Sequence, residues 1–248
     1  MALSSRWRRV LQPLWRIVAL VVVAFVALQL YFFGRVALMS AVDPASTTFQ
    51  RSEAWRLLRT HGRIDWSQTW VDESRISAQL KRAVIASEDA GFVEHSGIEW
   101  DAIERAWERN LREQTRSEQR PAARPPRIVG GSTITQQLAK NLFLDSERTL
   151  ARKGQEFVIT HWLELVLDKR RILEIYLNHV EWGEGVFGAQ AAARHYFRVD
   201  AAQLGTMPAA RLAVMLPAPK RFEKRPDSAY VRGRAATVAA RMPAVELP

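Results

Sequence analysis

The sequence predicts a mainly α protein, its folded part preceded by one membrane-spanning helix. Three observations carry that expectation. From Ile17 to Gly34 the chain reads IVALVVVAFVALQLYFFG without a charge. Beyond residue 76 the apolar residues recur three or four apart, the helical period. No run of alternating apolar and polar residues marks a strand, and no internal repeat is visible.

As a helix, residues 17–34 would be roughly 27 Å long, close to the hydrocarbon thickness of a bilayer. Arg6, Arg8, Arg9 and Arg16 precede the run, and Tyr31, Phe32 and Phe33 stand at its far edge. The positive-inside rule then puts residues 1–16 in the cytoplasm and everything after Gly34 outside. A cleaved signal peptide is the competing reading, because ALMSA offers small residues for cleavage. The apolar run is longer than the usual roughly 7 to 15 residues of a signal peptide. Residues 35–75 read as a mixed, polar juxtamembrane region. Trp55, Trp66 and Trp70 either rest against headgroups there or fill the near edge of the core, with nothing to choose between the two.

Residues 76–240 read as the folded domain. ISAQLKRAVIAS carries Ile76, Leu80, Ala83 and Val84 at helical spacing, and that helix should end near Glu88. In WDAIERAWERNL, Ile103, Ala106, Trp107 and Leu111 share one face, with Glu104 and Glu108 on the other. The stretch from Arg112 to Arg127 is rich in proline and arginine and nearly devoid of large apolar residues, which predicts a mobile, lid-like loop. In GGSTITQQLAKNLFL, Thr133 and Gln136 fit a capping box ahead of Ile134, Leu138 and Leu142. RTLARKGQEFVITHWLELVLDKRRILEIYLNHV reads as nearly continuous helix. VFGAQAAARHYF follows, and then PAARLAVML, with Pro208 suited to a first turn.

The 248 residues are 48% hydrophobic, enough for one core, and carry a formal charge of +10. That sign suits nucleic acid, anionic lipid headgroups or a phosphorylated substrate, without choosing among them. The absence of cysteine excludes disulfides, thiol nucleophiles and cysteine zinc sites. No P-loop, no Gly-x-Ser-x-Gly elbow and no Ser-x-x-Lys followed by Lys-Thr-Gly occurs, so those hydrolase and acyltransferase classes lack their residues.

Three stretches carry chemistry. In ASEDAGFVEHSGIEW, Glu88 and Asp89 can be a helix-end charge pair, half of a metal site, or the working carboxylate of an enzyme. EDAGFVEH has neither the two-histidine spacing nor the cysteines of a zinc motif. Thr133, Gln136, Gln137, Lys140 and Asn141 make a face dense in neutral hydrogen-bonding groups, equally consistent with a solvated face and a polyol or phosphate site. Arg148, Arg152 and Glu156 are four apart with Lys153 alongside. They form either an ordinary helical ion pair, worth about 0.2 to 0.5 kcal/mol, or a cationic wall that grips phosphate oxygens.

In order, EDAGFVEHSG, GGSTITQQLAKN, RKGQE, KRRILEIYLN and GVFGAQAAARHYF resemble the five motifs of the family 51 glycosyltransferases, the peptidoglycan glycosyltransferases. The resemblance spans residues 81 to 200. Glu99 departs from it where many relatives have Asp, and Pro208 where many have Glu. It implies a lysozyme-like glycosyltransferase lobe with a small membrane-proximal lobe. With the chain ending soon after the last motif, it also implies a monofunctional member without a transpeptidase domain.

The implied substrate is lipid II, a disaccharide-pentapeptide on undecaprenyl pyrophosphate. The implied reaction joins the 4-hydroxyl of an acceptor to the anomeric carbon of the growing chain, with inversion and release of the pyrophosphate. Glu88 matches the family's general base. Glu156 matches its second carboxylate, which either orients the pyrophosphate side or holds Arg152 and Lys140. Lys140, Arg148, Arg152, Lys153 and Lys169 match or neighbour positions on the leaving-group side. Ser132, Thr133, Gln136, Gln137 and Asn141 would contact sugar and phosphate oxygens, and His95 would fix its turn.

No cofactor is required on this reading, and the use of Mg²⁺ or Mn²⁺ stays open. The expected partners are lipid II, the nascent glycan, the inner membrane and other wall-synthesis proteins, with no nucleic acid. The expected location is the bacterial inner membrane, single-pass, with the catalytic domain periplasmic. Two rivals stand beside this expectation: an idle membrane-anchored scaffold, and a glycan-cleaving enzyme of lysozyme type.

Overall fold

A computed structural model describes residues 5–101, 103–105, 107–108, 111–112, 131–145, 147 and 149–248. Helix α1, Ser5–Leu38, contains the apolar stretch Trp15–Leu38, long and apolar enough to cross a membrane. It outruns the expected 17–34 at both ends, because neither Arg16 nor Gly34 interrupts it. Its far end joins the globular part. Phe32, Val36 and Met39 are buried in the main core, and Phe33 meets Trp162 edge to face. Gln29 and Gln155 exchange amide hydrogen bonds of 3.0 Å in both directions.

The segment expected to be a juxtamembrane spacer is also part of the fold. Helix α2, Thr48–His61, opens on a Thr47/Gln50 capping box and ends at Gly62, whose positive φ suits glycine. Leu57 on α2 is buried, and the Thr48 hydroxyl donates to the Leu142 carbonyl at 3.0 Å. Strand β1, Ser67–Gln68, pairs in parallel with β3, Val186–Phe187, and β2, Glu181–Gly183, pairs antiparallel with β3. This small sheet lies within the mainly helical fold that was expected, although none of its strands could be read from the sequence. Strands of two or three residues are too short for period-two alternation to show. Its turn depends on Gly185, at φ +72°, where a Cβ would lie 2.1 Å from the Asp65 carbonyl oxygen.

The remaining helices are α3 Ala78–Glu88, α4 Ile134–Phe143, α5 Leu150–Val166, α6 Lys169–His179, α7 Ala189–Phe197, α8 Thr206–Met215, the single turn α9 Pro219–Phe222, and α10 Ala229–Arg241. Helix α3 packs on α8 and α10, while α4 packs against α2, α5 and α6. Leu80, Phe92, Ile134, Leu138, Ile159, Leu163, Ile172 and Tyr176 fill the core between them. The long helix expected through LVLDKRR is two helices. Asp168 starts a new one by accepting a hydrogen bond from the Arg171 N–H at 2.7 Å, so the chain turns there.

The three tryptophans divide between the two expectations. Trp55 is exposed beneath the Arg59 guanidinium, Trp66 stacks on Phe187, and Trp70 packs against the core beside His179 and Arg171. Residues 100, 101, 103–105, 107, 108, 111 and 112 are helical, but Trp107 and Leu111 on the expected apolar face are exposed. The loop expected from Arg112 to Arg127 lies, beyond Arg112, outside the described residues.

Candidate active site

Glu88 is the last residue of α3, and Asp89 closes that helix by donating its N–H to the Ile85 carbonyl. The chain end of a helix is a rigid mount, and here it aims two adjacent carboxylates in different directions. Asp89 is buried and fully committed. Its Oδ2 accepts from the Ile134 N–H at 2.9 Å, an unpaired donor of the first turn of α4, and its Oδ1 lies 2.8 Å from His95 Nε2. His95 Nδ1 accepts from the Gly97 N–H at 3.0 Å, so Nε2 carries the proton and donates to Asp89. Asp89 and His95 thus fasten the turn after α3 to the start of α4.

The same turn admits only glycine at residue 97, where φ is +83° and a Cβ would come within 2.7 Å of both Thr160 and Glu164. The Gly97 carbonyl accepts from the Thr133 hydroxyl at 2.6 Å. Lys169 donates to the His95 carbonyl at 2.7 Å and to Glu164 at 2.8 Å, and sits over the Phe92 ring. Its position is therefore inside the turn's support, and the leaving-group role expected for it is not what its contacts serve.

Glu88 is left for other work. Burial pushes its carboxyl above the usual range, and the neighbouring Asp89 charge adds to that, while a hydrogen bond from Gln137 opposes it. The Gln137 Nε2 donates to Glu88 Oε2 at 3.0 Å, and the Tyr176 hydroxyl donates to Gln137 Oε1 at 3.0 Å. Both ends of the Gln137 amide thus hold a protein partner.

Thr133 and Gln136 take the capping role that their spacing predicted. They form the capping box of α4, with hydrogen bonds of 3.1 Å in each direction, and are 2% and 1% exposed. Short polar side chains at a helix start satisfy its free N–H groups first. Only Ser132 is exposed in that triplet of Ser132, Thr133 and Ile134.

A cleft of about 300 Å³ opens beside α4, lined by Phe49, Ser52, Lys140, Asn141, Leu144, Asp145 and Arg152. It gathers three expected site residues, Lys140, Asn141 and Arg152, and adds the α2 residues Phe49 and Ser52. No motif pointed to these two, because α2 reaches the site through tertiary packing alone. The wall of the cleft is set by Glu156, which is 3% exposed and accepts from Arg152 at 2.8 Å and from Lys153 at 2.5 Å. The pair is thus more than a surface helical ion pair. Buried on the carboxylate side, it fixes one guanidinium and one ammonium group, and the Arg152 Nε is itself buried without a partner among the described residues. Glu156 holds Arg152, as one expected alternative had it, and Lys153 as well. Arg148 lies outside the described residues.

The ligating atoms of Asp89, His95 and Glu99 fall within 4.8 Å of one another. Both Asp89 oxygens and both His95 nitrogens already hold hydrogen bonds, and Glu99 pairs with Arg105 at 2.6 Å. This donor set is a hydrogen-bonded turn and does not fit a metal centre.

Residues 57–243 match the family model described as Transglycosylase. The chain is 50% identical over 230 residues to the biosynthetic peptidoglycan transglycosylase of Paraburkholderia phytofirmans, covering 93% of this chain and 91% of that one. It is 52% identical over 225 residues to the protein of the same name from Burkholderia orbicola, covering 91% and 87%. Against the Burkholderia thailandensis protein of that name it is 51% identical over 225 residues, covering 91% and 84%.

Proposed function

The chain belongs to the transglycosylase family, and on that premise we propose that it polymerises peptidoglycan glycan strands from lipid II. What supports this most is the setting of Glu88: a half-buried carboxylate on a rigid helix end, held by one neutral amide, with its carboxyl raised by burial. The acceptor's 4-hydroxyl is a poor nucleophile until a base takes its proton. A desolvated carboxylate of raised pKa is a stronger base than a solvated one, provided it is ionised.

The chemistry is a single displacement. Glu88 removes the proton as the acceptor oxygen attacks the anomeric carbon of the growing chain, and the bond to undecaprenyl pyrophosphate breaks on the opposite face, so configuration inverts. Negative charge accumulates on the pyrophosphate as it leaves. Cations already fixed in place stabilise that charge without reorganising, and we assign this to Arg152 and Lys153 on Glu156, with Lys140 at the same cleft. A Mg²⁺ or Mn²⁺ ion carried by the pyrophosphate would act on the same charge.

The apolar helix Trp15–Leu38 would anchor the enzyme in the inner membrane, with the arginine-rich N-terminus in the cytoplasm and the site on the outer face, where a lipid-linked donor is presented. Incubation with lipid II followed by gel separation tests the activity. Longer glycan is the expected product, whereas shortened fragments from isolated sacculi, with no polymer from lipid II, would make the enzyme a hydrolase.

A further inference from the structure

The hydrogen-bond chain behind Glu88 has a direction, and its far end is a residue no motif argument assigned. Tyr176 on α6 is 1% exposed, and its hydroxyl donates to Gln137 Oε1, whose amide then turns Nε2 toward Glu88. We propose that Tyr176 is a positioning residue for the base: it locks the Gln137 amide in the one orientation that presents a donor to Glu88, and so favours the ionised carboxylate. This rests on the assignment of Glu88 as the general base.

The two ends of an amide have nearly the same shape, so packing alone does not select the orientation. Hydrogen bonding does. If the Gln137 amide were reversed, Oε1 would face the Glu88 oxygens, an acceptor against an acceptor, and only protonated Glu88 would fit. The Tyr176 hydroxyl would then have to accept from Nε2, and its own proton would lose the acceptor it now has. Leaving a buried donor unsatisfied is unfavourable. The phenol is a dependable donor, since burial and the nearby Glu88 and Asp89 charges push its pKa well above the ordinary tyrosine value.

Among the described residues, few titratable groups act on Glu88. Asp89 follows it directly, Tyr176 faces it from α6, and α4 contributes the neutral Gln137. Asp89 is tied to His95 and Ile134, so its effect on Glu88 is constant while the amide orientation is changed.

Tyr176→Phe removes one oxygen and leaves the ring in place. The Glu88 carboxyl is followed by carbon-13 NMR of glutamate-labelled full-length protein in detergent, with its signal assigned by its loss in Glu88→Gln. The expected result is a rise of the Glu88 pKa by about one unit in Tyr176→Phe, equivalent to a roughly tenfold bias toward the protonated form. The acid limb of kcat for lipid II polymerisation should move by the same amount, and the rate should recover at higher pH. Gln137→Leu should give a similar shift, and the double variant little more, because the two act through one hydrogen bond to Glu88.

An unmoved Glu88 pKa in Tyr176→Phe, with or without a lowered melting temperature, would overturn the proposal and leave Tyr176 as packing. A rise of the Glu88 pKa in Tyr176→Phe, alongside a wild-type protein that makes no glycan from lipid II, would instead uphold the relay and sink the proposed function. The two failures are therefore distinguishable.

Discussion

Glu88 and Glu156 are both shielded carboxylates, the first half-buried and the second buried, yet their partners are opposite in kind. Among the described residues Glu88 has a single donor, the neutral Gln137, and nearby negative charge from Asp89. Glu156 has two cations, Arg152 and Lys153, within 2.8 Å and 2.5 Å. A carboxylate with little compensation is ready to take a proton, whereas one clamped between cations serves best as their anchor. The difference teaches that burial by itself does not make a base. What surrounds the buried group decides whether it reacts or supports.

The comparison breaks first at Glu88. Glu88→Gln should lower the rate of lipid II polymerisation by about 10²- to 10⁴-fold, the usual worth of a general base, while the thermal unfolding temperature holds or rises. A melting temperature that collapses with the activity would mean that Glu88 supports structure as Glu156 does.

Glu156→Gln should do the reverse. Removing the partner of buried cations costs roughly 3–5 kcal/mol in fully buried pairs. Lys153 is 36% exposed, so about 2–3 kcal/mol is expected here, a loss of roughly 5–10 °C in melting temperature. Activity should fall mainly through weaker use of the pyrophosphate donor, measured as a raised KM for lipid II.

A third buried carboxylate sharpens the contrast at smaller scale. Glu181 on β2 shares Lys220 with Glu53, and burial pushes its carboxyl up to about 7. Lys220 lies 3.5 Å from its Oε1, a long contact that compensates little of the burial. With a folded pKa above the unfolded 4.5, its contribution to stability is fully present below about pH 4.5 and lost as the pH rises through about 7. Glu181→Gln should therefore stabilise the protein on the order of 1–2 kcal/mol at pH 8 and by little at pH 5, read by chemical denaturation at both. Equal effects at the two pH values would show that Glu181 is paired as well as Glu156.

Much of this was legible in the sequence because local signals sufficed. The Thr133/Gln136 capping box, the end of α3 at Glu88 and the four-residue spacing of Arg152 and Glu156 are all short-range patterns, and each stands where the periodicity put it. What the sequence concealed depends on long-range packing. Phe49 and Ser52 reach the cleft only because α2 lies against α4, and Tyr176 meets Gln137 only because α6 does. Thr133, Gln136 and Gln137 carry polar groups suited equally to substrate and to protein, and sequence gives no way to count which hydrogen bonds the fold has already taken. Lys169 is another such case, its charge being answered by Glu164 and a carbonyl.

The central claim is that Glu88 is the base that drives strand synthesis. Its most direct test is the initial rate of lipid II polymerisation by the wild-type protein from about pH 4 to pH 9, with Glu88→Gln measured in parallel. The expected profile falls on the acid side with an apparent pKa above the ordinary carboxylate range, and the variant shows no such limb and almost no polymer. Wild-type-like polymerisation by Glu88→Gln, with the acid limb intact, would contradict it.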